Sequence, residues 1–113
     1  MDITFSRKEL LKMANDKSYA IRKLGSIRAK LFSVRLDDLD AATTLEDVRY
    51  LPGNYHELTS DRKGQWACDL GQPYRLIFRP CEEPIPTDEK GKYKWIEITG
   101  IEILEITNYH GKK

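Results

Sequence analysis

Polar and apolar residues alternate along a short run in the middle of the chain, from Tyr74 to Arg79. Because successive side chains of a β-strand point to opposite faces, the run divides into an apolar face and a largely cationic one. The two sets are Tyr74, Leu76 and Phe78 on the first face, and Arg75, Ile77 and Arg79 on the second. A sheet with an open cationic face suits phosphate binding, although an ordinary solvated sheet face has the same pattern.

Two further β-prone runs precede this strand. Asp61-Arg62-Lys63-Gly64 and Gly71-Gln72-Pro73 have the composition of turns, so the runs on either side of each turn should pair antiparallel. The predicted strands are Tyr55 to Thr59, Gln65 to Leu70 and Tyr74 to Arg79. Met1 to Phe5 is also β-prone and fits an edge strand.

Helical signals dominate the N-terminal third of the chain. Ser6 and Glu9 stand at capping-box spacing, which predicts a first helix from there to about Met13. Beyond the polar residues 15–18, an apolar stripe at helical spacing predicts a longer second helix. The stripe is Ala20, Leu24, Ile27, Leu31 and Val34, and the basic residues interleaved with it are Arg22, Lys23, Arg28, Lys30 and Arg35. This helix should bury one side and present a basic one.

Thr43 and Glu46 repeat the capping-box spacing, and the short helix they predict must end at Pro52-Gly53. Beyond Pro80, residues 81–92 contain two prolines, a glycine and no apolar periodicity, which predicts a mobile loop. Lys94 to Thr107 is strongly β-prone, but its apolar residues change parity at Gly100. A β-bulge at Gly100 would restore one apolar face.

The length of 113 residues predicts a single domain. The N-terminus lacks an apolar signal core, and the longest uncharged stretch is the seven residues Tyr50 to His56, so we expect a cytoplasmic protein with no membrane association. Cys68 falls in a predicted strand and is expected to serve packing, whereas Cys81 is incidental. Since the two cysteines form neither a CxxC pair nor a zinc-ligand cluster, no metal or cofactor is expected.

Charge is sorted along the chain although the formal net charge is only +1. Residues 1–36 contain nine basic and three acidic residues, and residues 62–80 contain four and one. Residues 37–61 between them contain one basic and seven acidic residues. The two basic segments could form an electrostatic footprint for nucleic acid, while the bland alternative is a set of solvated helix faces.

The chain has two histidines, His56 on the first predicted hairpin strand and His110 after the last strand. An antiparallel sheet can bring such distant positions together. Cleavage of RNA without metal needs a base for the ribose 2′-OH, an acid for the 5′-oxygen and a cation for the phosphorane charge. His56, His110, Tyr109 and Arg75 include groups for all three roles, although a histidine is as often a packing residue. His56 also shares strand parity with Leu58, so it fits an open face only at a bulge or a frayed strand start.

These residues resemble the HigB-type killer toxins of bacterial toxin–antitoxin modules, in the RelE/ParE superfamily. The likeness covers roughly Leu36 to Arg79 and the C-terminal Asn108-Tyr109-His110, and it is carried by LDAAT, LPG, H-x-L, DRKG-x-W and YR-x-x-FR in that order. It implies an α+β fold, with two packed N-terminal helices against a four- to five-stranded antiparallel sheet. It also implies a ribosome-dependent mRNA endonuclease, neutralised by a helix-turn-helix antitoxin of the HigA type.

By position, the resemblance assigns the catalytic roles to His56, Arg75, Tyr109 and His110. We expect Arg62, Lys63, Arg79 and Asn108 to bind substrate. Asn108 stands where some members of the family have aspartate, and Thr59 where some have lysine, so the division of acid and base roles stays open. Lys63 could replace the missing lysine electrostatically.

Two other functions fit the same resemblance. The superfamily includes toxins that bind and poison DNA gyrase without catalysis. His56 together with Tyr109-His110 favours the nuclease, since a binding module needs no paired titratable groups at a strand end. A toxin-like protein that has lost its activity is the third alternative, suggested by Asn108 and Thr59.

Overall fold

The structure, a computed structural model, describes residues 1–108, which form helices packed against one sheet. The elements in chain order are β1 (Asp2–Phe5), α1 (Lys8–Asn15), α2 (Lys17–Leu24), α3 (Ser26–Ala41), α4 (Leu45–Val48), β2 (His56–Glu57), β3 (Trp66–Asp69), β4 (Tyr74–Pro80) and β5 (Gly100–Asn108). Two 3₁₀ turns lie at Ser60–Arg62 and Trp95–Glu97. No helix in this described range is long and apolar enough to cross a bilayer.

The five strands form one sheet in the order β1-β5-β4-β3-β2. This confirms the predicted α+β class with helices packed against the sheet. Three of the pairings are antiparallel, but β1 runs parallel to β5, with Asp2 opposite Gly100. The expectation of a wholly antiparallel sheet is therefore wrong at this edge, because strand direction depends on the route of the chain and residue alternation does not encode it.

The apolar face of β4 is confirmed. Leu76 and Phe78 are fully buried toward the helices, and Tyr74 packs against the same core. β5 continues this face by a bulge, although not at the predicted Gly100. Ile77 pairs with Glu105 and Phe78 with Ile103, so Leu104 is the extra residue.

The change of parity at Gly100 has a different cause. The preceding residues belong to the 3₁₀ turn at Trp95–Glu97, and β5 begins only at Gly100. A strand from Lys94 to Thr107 was therefore predicted too long at its start.

The two predicted N-terminal helices are three in the structure. Asp16 separates α1 from α2, and its carboxylate accepts the Tyr19 N–H at 3.0 Å as an N-cap. Gly25 separates α2 from α3 with a φ of +84°, a conformation that glycine adopts without strain. Periodicity ran across Gly25 unbroken, so the sequence alone suggested one helix.

This break also changes which residues are buried. The buried residues of α3 are Ala29, Phe32 and Leu39, whereas Ile27 and Val34 of the predicted stripe are 76% and 39% exposed. Some of the basic residues turn inward as well. The Arg28 guanidinium lies 4.1 Å from the Tyr74 ring centroid.

Both predicted capping boxes are shifted or absent. α1 begins at Lys8, and the Ser6 hydroxyl donates to the Leu104 carbonyl at 2.9 Å instead of capping the helix. α4 begins one residue later than expected, and its Asp47 carboxylate accepts the Thr44 N–H at 3.1 Å. Adjacent Thr and acidic residues made the box ambiguous by one position.

Aromatic side chains fill the core between the sheet and the helices. The Trp66 ring is stacked with Phe78 at 6.4 Å between centroids, and Trp95 meets it edge-on at 5.5 Å. Cys68 is fully buried in the same core, and this burial raises the pKa of its thiol to about 12. The thiol therefore stays protonated, in agreement with the predicted packing role, and Cys81 is exposed.

Residues 81–92 form a loop with internal contacts. The Asp88 carboxylate accepts the N–H groups of Lys90 and Lys92 at 2.8 and 2.9 Å, and these backbone donors lower its pKa. Ile85 packs against the core and holds the loop to the end of the sheet. The mobility expected of this loop stays a prediction.

Candidate active site

Two of the predicted catalytic residues meet on the open face of the sheet, the face turned away from the helices. His56 of β2 and Arg75 of β4 both lie beside β3, where their register partners are Ala67 and Asp69. The Arg75 Nη1 group donates to His56 Nε2 at 3.3 Å. The sheet thus brings together an imidazole and a guanidinium from positions 19 residues apart in the chain.

The hydrogen bonds of His56 define its tautomer. Its Nδ1 lies 2.7 Å from the Asn54 carbonyl, which can only accept, so Nδ1 carries the proton. A guanidinium can only donate, so Nε2 facing Arg75 carries the lone pair. In this arrangement the Nε2 lone pair of His56 is turned toward the Arg75 guanidinium.

β2 is only two residues long, which resolves the conflict of strand parity. Tyr55 points into the core and His56 onto the open face, while Leu58 lies beyond the end of the strand. The Tyr55 hydroxyl donates toward the Arg35 carbonyl and the Asp38 carboxylate, both at 3.4 Å. Burial and nearby Cys68 raise the pKa of Tyr55, which stays neutral and anchors the strand.

The loop before His56 is braced by Asp69 and by Arg35, which the sequence places only on the basic side of a helix. Asp69 holds it twice: its N–H donates to the Gly53 carbonyl at 2.8 Å, and its carboxylate accepts from Asn54 Nδ2 at 3.4 Å. Arg35 Nε in turn donates to the Asp69 carbonyl at 2.8 Å. Gly53 and Asn54 both have positive φ, of 122° and 56°. The sequence predicts only that the short helix ends at Pro52-Gly53, and the fold places Arg35 and Asp69 beside this segment.

Gly53 makes this brace testable. A Cβ at Gly53 would lie 2.9 Å from the Arg35 Cζ atom and 3.0 Å from the Tyr55 Cε1 atom, and the Gly53 φ of +122° strains any side chain. We expect Gly53→Ala to lower the free energy of unfolding by more than about 1 kcal/mol, measured by urea denaturation. The matched control is Gly91→Ala, since Gly91 also has a positive φ, of 82°, but no atom near its Cβ position. Equal losses in the two variants would contradict a steric role for Arg35 and Tyr55 at Gly53.

The open face is not simply cationic, which corrects the expectation drawn from β4. Arg79 pairs with Glu102 at 3.0 Å, and Arg62 pairs with Glu105 at 2.8 Å. Glu105 is the register partner of Ile77 on β4, so this pair links the turn between β2 and β3 to β5. These glutamates lie far along the chain, so only the register of β5 could place them here.

The other predicted site residues have different outcomes. Lys63 follows the 3₁₀ turn, and its Nζ lies 5.7 Å from the Tyr93 ring centroid. Asn108 is exposed at the end of β5. Its register partner on β4 is Tyr74, and the preceding residue Thr107 is the partner of Arg75. Tyr109 and His110 lie outside the described residues, so their roles stay predictions. Within residues 1–108, no group of three or more His, Cys, Asp or Glu side chains could hold a metal ion.

Solved structures with a similar fold include two of YoeB from Staphylococcus aureus. A YoeB–YefM complex has a chain that superposes with a TM-score of 0.56 at 17% identity, covering 95% of this chain and 94% of that one. A YoeB dimer gives 0.53 at 18% identity, covering 93% and 92%. This chain has the fold of YoeB. No family model matches the sequence, and no curated protein matches it.

The similarity to YoeB spans nearly the whole of both chains, so it covers the helices and the sheet that carries His56 and Arg75. At this level of identity it establishes the fold alone. A more specific assignment depends on the chemistry of the open face.

Proposed function

We propose that the protein is the toxin of a bacterial toxin–antitoxin module and acts as a cytoplasmic, ribosome-dependent mRNA endonuclease of the HigB type that inhibits translation and growth. The observation that carries the proposal is the His56–Arg75 pair, with its basic nitrogen and its guanidinium 3.3 Å apart on the open face. The YoeB fold and the HigB-like motifs support the toxin role.

The tautomer of His56 favours a base role over an acid role. Its Nε2 lone pair can accept the proton of a ribose 2′-OH once the substrate displaces the Arg75 N–H. The 2′-oxygen then attacks the adjacent phosphorus, and the bond from phosphorus to the 5′-oxygen breaks. Arg75 would stabilise the charge on the phosphoryl oxygens. The acid that protonates the leaving 5′-oxygen is proposed to be His110, with Tyr109 stacking on a base or positioning a proton.

The cations around the pair would hold the RNA backbone. Arg62, Lys63 and Arg79 are the proposed phosphate contacts, and Asn108 offers an amide beside the Arg75 row. Because Arg62 and Arg79 already have carboxylate partners, their contribution is smaller than that of an unpaired cation would be. Asn108 cannot act as a carboxylate base, so the mechanism assigns it binding alone.

Mapping RNA ends in cells tests this function. Cells that express the wild-type protein should contain mRNA cut within ribosome-bound regions, and the products should carry a 2′,3′-cyclic phosphate or 3′-phosphate and a 5′-hydroxyl. The cleavage chemistry is proposed to need no metal ion. Adding a chelator to purified protein and ribosomes should therefore not slow cleavage, provided that enough Mg²⁺ remains to keep the ribosomes intact. If mRNA stays intact while DNA supercoiling is disturbed, the nuclease function is wrong and poisoning of DNA gyrase takes its place.

The proposed partner is an antitoxin that docks on the helices. The YoeB of one similar structure is in a complex with YefM. Here a groove of about 780 Å³ lies between α1, α2 and α3, and exposed Ile21 and Val34 line it beside the basic Lys17 and Lys30. Asp37 also lines the groove, but the two lysines leave it with a net positive charge, so it fits an amphipathic acidic segment of a HigA-type antitoxin.

Co-expression of the neighbouring small open reading frame should restore growth, and its product should co-purify with the toxin. We expect Ile21→Glu to weaken this complex at least tenfold, because it places a charge on the apolar floor. The control is Ile96→Glu, at a residue that is 67% exposed and does not line the groove. Equal affinity of both variants for the antitoxin would remove the groove from the interface.

A further inference from the structure

We propose that a second cleft, at the end of β4, binds one nucleotide of single-stranded RNA through its base, close to the nucleotide cut at His56 and Arg75. This inference rests on the proposed function. The cleft encloses about 520 Å³ and lies between the start of β3, the end of β4 and the loop of residues 81–93. The lining residues that carry the argument are Lys63, Gly64, Arg79, Ile85 and Tyr93.

The cleft combines an aromatic ring with two cations. Tyr93 is half-buried and supported by Trp95, whose ring centroid is 5.0 Å away. Lys63 Nζ lies 5.7 Å from the Tyr93 centroid. Proteins bind single strands with this combination, in which bases stack on aromatic rings and cations follow the backbone. A base on Tyr93 would move the exposed Lys63, since stacking of a base is the stronger contact and the ammonium is then free to meet a phosphate.

Arg79 joins this cleft to the candidate active site. It lies on the same strand and the same face as Arg75, four residues further on, which is about 13 Å along a β-strand. The pair with Glu102 involves Arg79 Nε, and a guanidinium has further N–H donors on its Nη atoms. An extended RNA strand that has a phosphate at Arg75 therefore reaches the cleft within a few nucleotides.

The wall of the cleft is held in place by backbone hydrogen bonds and by close packing. Thr87 bridges to Tyr93, and the Lys94 N–H donates to the Pro86 carbonyl at 2.8 Å, so the ring is held by a closed turn. Gly64 packs so tightly that a Cβ there would lie 3.1 Å from Ile85. Glu83 also lines the cleft, and its carboxylate disfavours a second phosphate inside it. A base with its phosphate at the rim, beside Lys63 and Arg79, fits this distribution of charge.

Binding of a short, fluorescein-labelled single-stranded RNA, followed by anisotropy, tests the cleft. The whole chain is used with the His56→Ala substitution, so that the RNA stays uncut. We expect Tyr93→Ala to weaken binding roughly tenfold and Tyr93→Phe to change it by less than about twofold, because the ring makes the contact. Lys63→Ala should lower the dependence of log K on log salt by about 0.7, whereas Tyr93→Ala should leave that slope unchanged.

A second measurement guards against a misfolded Tyr93→Ala variant. RNA that contains 5-iodouridine is bound to the His56→Ala protein, whose cleft is unsubstituted, and the complex is irradiated. The crosslinked peptide is then identified by mass spectrometry. Crosslinks at Tyr93 support the proposal. Crosslinks confined to other residues, equal RNA affinity of folded Tyr93→Ala and the parent, or no RNA binding at all would each overturn it.

Failure of the cleft is separable from failure of the proposed function. The nuclease activity is measured with His56 intact, by cleavage of ribosome-bound mRNA. If Tyr93→Ala cuts mRNA with the wild-type rate and site preference while His56→Ala does not cut, the nuclease stands and the cleft falls. If neither wild type nor variant cuts mRNA, the nuclease falls, and the binding and crosslinking results still decide the cleft.

Discussion

His56→Ala is expected to lower the rate of mRNA cleavage by about 10² to 10⁴, the usual contribution of a positioned general base. Arg75→Ala should lower the cleavage rate by a factor of about 10² to 10³, because the charge on the phosphorane loses a fixed hydrogen-bond donor. Rates are measured in single-turnover assays with purified ribosomes, and toxicity by counts of viable cells. Both side chains are on the open face and contribute nothing to the apolar core, so both variants should stay folded and keep their antitoxin.

Arg75→Lys distinguishes charge from geometry at this site. A lysine keeps the positive charge but lacks the planar set of N–H donors that reaches both His56 and a phosphate. We expect a rate between those of Arg75→Ala and the wild type. The control is Lys90→Ala, which removes one positive charge from an exposed loop position outside the site. Cleavage by His56→Ala at the wild-type rate would exclude His56 as the base.

Local alternation predicted correctly which residues of β4 face the core and which face outward. β4 is half-buried, so its sequence shows directly that Leu76 and Phe78 face the core and Arg75 the open face. His56 is proposed from its chemistry, and the two-residue length of β2 explains how it lies on the open face although it shares strand parity with Leu58. These features depend on residues within a few positions of one another.

The remaining features depend on distant parts of the chain. The partners of Arg62 and Arg79 are Glu105 and Glu102, and a bulge at Leu104 sets which residues of β5 face them. Arg35 reaches the His56 loop only because α3 packs over the sheet. Composition counted these arginines as free cations, whereas the register of the sheet gives them partners.

The helical region was mispredicted for a related reason. A single apolar period runs from Ala20 to Val34, but Gly25 adopts a positive φ and restarts the helix in a new phase. A glycine in a periodic run is equally compatible with an unbroken helix, so periodicity alone could not show the break. As a result Ile27 and Val34 are exposed, and Val34 lines the proposed antitoxin groove.

Trp66→Ala is expected to cause the largest loss of stability, about 3–5 kcal/mol. Trp66 is fully buried, stacks with Phe78 and meets Trp95 edge-on, and the Arg49 guanidinium lies 4.8 Å from its ring centroid. Removing the indole would leave a cavity where the sheet, the 3₁₀ turn at Trp95–Glu97 and Arg49 meet. Since small domains have about 5–15 kcal/mol of stability in total, the variant would lose a large part of it.

Two variants bracket this result. Trp66→Phe keeps an aromatic ring in the core and should cost less than Trp66→Ala, while Ile96→Ala, at a residue that is 67% exposed, should change stability by less than about 0.5 kcal/mol. The free energy of unfolding of all three variants is measured by urea denaturation, with circular dichroism as the signal. Trp66 precedes Ala67, which is the register partner of His56. A folded Trp66→Phe variant therefore also tests whether packing in the core determines the position of His56, the proposed base. A loss below about 1 kcal/mol for Trp66→Ala would mean that the sheet and helices are held together elsewhere.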